Sequence, residues 1–97
     1  MEINIKSLKF DADEKLLAYV EKKVAKLERF HDGAAVSNVS LSLLAEPDNK
    51  CVKLQIHVPG EEMIIERNAK TFEEAVTDAV DAMKEKLTRA KEKRNEA

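Results

Sequence analysis

Residues 36–68 read VSNVSLSLLAEPDNKCVKLQIHVPGEEMIIERN, three alternating runs separated by two turn signals. In the first, Val36 to Ala45, the side chains of Val39, Leu41 and Leu43 face one way. Asn38, Ser40, Ser42 and Leu44 face the other, which is the period of two that defines a strand. Glu46-Pro47-Asp48-Asn49 carries the residue types of a turn. Cys51 to Val58 follows, with Val52, Leu54, Ile56 and Val58 inward and Lys53, Gln55 and His57 outward. Pro59-Gly60 fits the two central positions of a type II turn, where proline presets the first φ and glycine accepts the positive second one. Glu62 to Asn68 returns as a third strand, with Met63 and Ile65 set against Glu62, Ile64 and Glu66. Strands joined by such short turns pair antiparallel.

Upstream of this meander, Asp11 to about His31 reads as a helix. Asp11 or Asp13 caps it, Glu14 suits its dipole, and Leu16, Leu17, Val20, Val24 and Leu27 share one face. Asp32-Gly33 ends it, with Gly33 able to take a left-handed terminal position. Before that helix, Met1 to Lys6 alternates as a short strand, and Leu8 and Phe10 lead out of it toward the core. Downstream, Thr71-Phe72-Glu73-Glu74 matches a capping box in which Thr71 caps and Glu74 reaches back. Phe72, Ala75, Val76, Ala79, Val80, Met83, Leu87 and Ala90 then continue one apolar stripe to about Lys91, and the last few residues fray. The order is β-α-β-β-β-α. It predicts an α+β sandwich of two layers, a four-stranded sheet with both helices on one face. The other face shows Ser40, Ser42, Lys53, Gln55 and His57 to water.

The 97 residues suffice for one core, so residues 1–97 are expected to form a single domain. The single Cys51 excludes a disulfide within the chain and fits a reducing cytoplasm. No apolar run approaches the ~20 residues of a membrane span, and the amino terminus lacks the pattern of a secretory signal; neither a membrane partner nor a small-molecule substrate is expected. A net charge of −2 argues against a uniformly basic nucleic-acid binder. It leaves room for charges sorted by position.

Catalytic chemistry is not visible. His31, His57 and Cys51 lack the spacing of metal ligands, and Cys51 has no neighbouring base to activate it. Gly33 and Gly60 stand alone in turns, unlike a phosphate-cradling loop. Glu61-Glu62 lies in a turn, and Glu73-Glu74 sits where a helix dipole favours acid. The chain is read as a non-enzyme that needs no cofactor or metal.

The informative feature is where the cations fall. At ~100° per residue, Lys15, Lys22, Lys26 and Arg29 form a stripe on the first helix, away from its core face, with Lys23 between that stripe and the core edge. Glu14, Glu21 and Glu28 form a separate acidic stripe. The second helix is acidic from Thr71 to Met83, with Glu73, Glu74, Asp78 and Asp81. From Lys84 to Arg94 it is basic, and Lys86, Arg89 and Lys93 share a flank. A helix dipole explains acid first and base last. It does not explain basic side chains along the whole first helix. Two parallel helices on one face are expected to merge both basic flanks into one surface that suits a folded phosphate backbone. The aromatic residues Phe10, Phe30 and Phe72 lie at core or element-end positions and Tyr19 on the first helix, so recognition of shape and phosphates in structured RNA fits better than base stacking on the sheet.

Val20-Glu21-Lys22-Lys23-Val24-Ala25-Lys26-Leu27-Glu28-Arg29-Phe30 resembles the first-helix signature of the ribosome hibernation promoting factor and protein Y family, also called ribosome-associated inhibitor A or the sigma-54 modulation protein family. The second helix is similar too, from Phe72-Glu73-Glu74-Ala75-Val76 to Leu87-Thr88-Arg89-Ala90-Lys91-Glu92-Lys93. The element order agrees over nearly the whole chain. This resemblance implies a bacterial, cytoplasmic stress factor of the short form, whose single domain binds the small ribosomal subunit through 16S rRNA and ribosomal proteins. It would occupy the channel that mRNA and tRNA use, block initiation and preserve idle ribosomes. Carried over by position, the implied RNA-binding residues are Lys23, Lys26 and Arg29 on the first helix and Arg89, Lys91 and Lys93 on the second. Charge geometry adds Lys22, Lys84 and Lys86.

The chain departs from the family where basic-Leu-x-Arg-Gln-Leu is frequent. Here Ala82-Met83-Lys84-Glu85-Lys86-Leu87 stands, so the basic flank is displaced by one residue. The sequence also lacks the acidic tail of protein Y and the added C-terminal domain of long members, which implies a chain less able to join two ribosomes by itself. Two other readings stand beside this one. The sheet face of Ser40, Ser42, Lys53, Gln55 and His57 could dock a protein partner in sigma-54-dependent transcription. The α-β-β-β-α core over residues 12–91 also resembles a double-stranded-RNA-binding domain.

Overall fold

A computed structural model of the chain describes residues 1–31, 33–45, 47 and 49–95, the side chains of 93–95 excepted. Strand β1 spans Glu2–Leu8, helix α1 Glu14–Ala25, β2 Val36–Leu43, β3 Lys50–Val58, β4 Glu61–Ala69 and helix α2 Phe72–Asn95. The four strands form one sheet in the order β1-β2-β3-β4. β1 pairs parallel to β2, and β2, β3 and β4 pair antiparallel in turn. The expected α+β sandwich, with its four-stranded sheet, is the fold observed. Glu46 and Asp48 of the expected β2–β3 turn lie outside the described residues.

This topology fixes the direction of the helices. A crossover between parallel strands makes α1 run against β1 and β2. β4 points the same way as β2, and α2 runs back against β4. The two helices therefore lie parallel on one face. Their packing agrees: Tyr19 meets Thr77 nearer the helix starts, and Phe30 meets Lys84 about ten ångströms farther along α2 at ~1.5 Å per residue. Beneath them, Val20, Val24 and Leu27 of the first layer pack with Val39, Leu41, Val52, Leu54, Ile56 and Met63 of the sheet and with Val76, Ala79, Met83 and Leu87 of α2. Ser37 also faces this core, and its buried hydroxyl has no hydrogen-bond partner among the described residues.

Local chemistry sets the ends of the elements. Asp13 caps α1 by accepting from the Leu16 amide at 2.8 Å. Thr71 accepts from the Glu74 amide at 3.1 Å, which is the forward half of the capping box. Gly60 has φ 81°, as the second central position of a type II turn requires. Phe10 stacks on Phe72 with ring centroids 5.1 Å apart, tying the β1–α1 link to the start of α2.

Three expectations need correction. The first helix does not run as an α-helix to His31; after Ala25 it tightens into a 3-10 segment over Lys26–Phe30. Gly33 takes no left-handed conformation. It is glycine for closeness, because a Cβ there would lie 2.5 Å from Cδ of Pro59. Leu8 does not turn toward the core. It is the last residue of β1 and 39% exposed, on the open face with Asn4 and Lys6.

Candidate nucleic-acid interface

The seam between α1 and α2 is polarised along its length. Near the helix starts it is bridged. The Thr77 hydroxyl donates to the Glu73 carbonyl at 2.9 Å, which leaves the Tyr19 hydroxyl to donate to Thr77 Oγ1 at 3.1 Å. Glu73, Glu74 and Asp78 flank this bridge and make that end acidic. Toward the helix ends the seam opens into a hollow of about 190 Å3. Leu27, Phe30 and Val80 give it apolar walls, and Lys23, Lys26, Arg29 and Lys84 give it a cationic rim, with Thr77 and Asp81 also on its wall.

The 3-10 segment helps build this rim. With three residues per turn, side chains at i and i+3 eclipse, so Lys26 and Arg29 rise in one column instead of drifting apart by ~60° as on an α-helix. Two aromatic rings hold the neighbouring ammonium groups: Lys23 Nζ lies 5.6 Å from the Tyr19 ring centroid and Lys84 Nζ 5.0 Å from that of Phe30. Among the described residues, none of the four rim cations forms an ion pair. The acidic residue of the 3-10 segment is turned the other way. Glu28 is bonded at 3.0 Å to the terminal ammonium of Met1, on the β1 side.

The remaining cations of α2 do not join this rim. Lys84 and Lys86 are separated by ~200° around the helix. Lys86 and Arg89 line a different concavity with Glu61, Met63 and Ala90, on the flank over β4. Arg89 is held there by an ion pair to Glu85, one turn earlier. The expectation of a single merged patch is therefore corrected: α1 and α2 together present four cations in one hollow, and α2 carries a second set on its far flank. Lys22 is exposed but does not line the hollow. Lys91, half-buried, follows Lys84 by seven residues on the same flank. The Lys93 side chain lies outside the described residues.

The chain matches the sigma 54 modulation protein / S30EA ribosomal protein family over residues 3–95. It belongs to this family. Within the S30EA family, the chain is 27% identical over 96 residues to the ribosome hibernation promoting factor of Azotobacter vinelandii, across 99% of this chain and 88% of that one. The crystal structure of the N-terminal domain of Thermus thermophilus protein Y superposes with a TM-score of 0.80 and 28% identity, covering 92% of this chain and 98% of that one. A ribosomal subunit interface protein from Coxiella burnetii shares the fold, with a TM-score of 0.80 at 18% identity over 94% of this chain and 98% of its own.

Sequence reasoning missed the walls of the hollow. In the sequence Phe30 stands at a core or element-end position, and Asp81 belongs to the acidic half of the second helix. A partial signal was present on α1, because Tyr19, Lys23 and Lys26 are spaced by four and three and so share a side. No spacing within α1 could say that Val80, Asp81 and Lys84 stand opposite. Among the described residues, no helix is long and apolar enough to cross a membrane, and no group of three or more His, Cys, Asp or Glu side chains converges as a metal site.

Proposed function

We propose that this chain, acting as one domain over residues 1–97, is a ribosome hibernation factor. It binds 16S rRNA of the small ribosomal subunit in the mRNA and tRNA channel, in the cytoplasm, and blocks initiation while preserving idle ribosomes. The observation that carries this reading is the hollow in which Lys23, Lys26, Arg29 and Lys84 converge, none of them ion-paired among the described residues, on a chain of net charge −2. Such a localised cation set exchanges the counterions of RNA phosphates for protein charge and leaves the rest of the molecule weakly repelled by RNA. Family membership and the kinship with a ribosome hibernation promoting factor support the choice of the ribosome as the RNA. The action is steric and electrostatic: the domain fills space that mRNA and tRNA need, and no bond is made or broken.

The rim residues Lys23, Lys26, Arg29 and Lys84 are the primary phosphate contacts. Lys91 extends them along α2, whereas Lys22, Lys86, Arg89 and Lys93 contribute at the periphery. Co-sedimentation with purified small subunits at rising salt tests the reading. Four phosphate contacts predict a slope of log affinity against log salt of roughly −3 to −4. Binding that ignores salt, or a preference for a bare RNA duplex over the subunit, would overturn it.

A further inference from the structure

The rim of the interhelical hollow fits phosphates, but its walls do not. Leu27, Phe30 and Val80 present apolar surface between the cations, and a phosphate gains nothing from them. At about 190 Å3 the hollow is smaller than the roughly 300–1,000 Å3 of sites that enclose a drug-sized ligand. That leaves room for one planar ring system rather than a whole nucleotide. Asp81 adds a second constraint. This residue lines a hollow whose other charged residues are all cationic, and it forms no ion pair among the described residues. Beside an RNA backbone it would be repelled, unless it faces a group that donates hydrogen bonds. An ionised carboxylate accepts only, and the base edge that offers it adjacent N–H donors is the Watson–Crick edge of guanine.

We propose that the hollow is a pocket for one unpaired nucleobase of an RNA chain, with guanine preferred. The base lies against Phe30, Leu27 and Val80, its donor edge meets Asp81, and the flanking phosphates meet Lys23, Lys26, Arg29 and Lys84. The Lys84 ammonium now rests over the Phe30 ring at 5.0 Å from its centroid. Such a contact is weak at an exposed site, so the flexible lysine can exchange the ring for a phosphate as the base enters. RNA readers commonly treat splayed-out bases in this way, stacking them on aromatic rings and hydrogen-bonding their edges. The proposal deepens the RNA-binding reading and rests on it for the class of ligand.

Fluorescence anisotropy with the full chain tests it on short RNA hairpins that are fully paired or carry one bulged G or one bulged U. The bulged hairpins are expected to bind at least about fivefold tighter than the paired one, as a stacked base contributes, with G ahead of U. Phe30→Leu keeps an apolar side chain and should bring the bulged-to-paired ratio close to one. Asp81→Asn should remove the preference for G over U. Lys53→Ala, on the open sheet face, should change neither ratio, and a thermal melt of each variant checks its fold. Equal binding to bulged and paired hairpins overturns the pocket, as does competition by free guanosine monophosphate at concentrations that match the bulged hairpin. Co-sedimentation with small subunits, run in parallel, separates the outcomes: retention there with no bulge preference overturns the pocket alone.

Discussion

The two flanks of α2 carry similar charge and end in different states. On the flank toward α1, Lys84 joins Lys23, Lys26 and Arg29 around a hollow, and none of them has an ion-pair partner among the described residues. On the flank over β4, Lys86 and Arg89 open beside Glu61, and Arg89 is bound to Glu85. The difference shows that a cation counts for RNA binding by what surrounds it. A neighbouring carboxylate competes with phosphate, and a lone exposed pair is worth only ~0–1 kcal/mol to the fold, so such a pair serves stability little while it dulls the site. The four cations around the hollow share its lining with one carboxylate, Asp81, but none is ion-paired among the described residues, so they can act on a phosphate together.

The comparison can be broken most severely from beneath. Leu27 is fully buried and floors the hollow. Leu27→Ala is expected to cost about 2–5 kcal/mol of stability, read by chemical denaturation, and to weaken ribosome binding through loss of the rim geometry. Next comes the rim itself. Charge reversal at Lys26 and Lys84 together should weaken co-sedimentation with small subunits on the order of a hundredfold, because two favourable phosphate contacts become repulsive. Unchanged occupancy would show that the hollow is not the interface.

The opposite flank supplies the smaller effects. Lys86→Ala with Arg89→Ala should reduce affinity by less than about fivefold and leave most of the salt slope in place, since a single phosphate contact changes that slope by about one. A loss equal to that of the rim variant would erase the distinction between the flanks. Smallest of all is Glu85→Ala, which frees Arg89 from its ion pair. Affinity should rise by about twofold and the salt slope should steepen by less than about one, measured in the same assay. A fall in affinity would mean that Glu85 orients Arg89 for contact.

Much of the fold can be read from residue order. The alternation of Val52, Leu54, Ile56 and Val58 against Lys53, Gln55 and His57 defines β3, and all four apolar residues are buried. Thr71 and Pro59-Gly60 mark the helix start and the turn that the structure contains. These signals survive because they are local: a strand's period, a cap and a turn's φ requirement act within a few residues of chain. The less legible points are places where distant chain intervenes. Gly33 reads as a helix terminator, yet its small size answers to Pro59, a residue of the β3–β4 hairpin. Leu8 reads as a core residue from its hydrophobicity, yet the register of β1 against β2 puts it opposite Ser42 on the open face.

By itself, then, the amino-acid order determined the succession of strands and helices and the main face that each one buries, apart from the 3-10 segment and the end of β1, since period and capping are properties of a single segment. It also determined that both helices carry cations. Only the tertiary structure decided which cations meet. The parallel β1–β2 pairing sets the two helices side by side in one direction, and the 3-10 segment aligns Lys26 with Arg29. A rotation of ~200° then assigns Lys84 to one flank and Lys86 to the other. The physical reason is that helical period fixes angles around one axis, whereas the neighbour on each side of that axis is fixed by strand order and chain crossover.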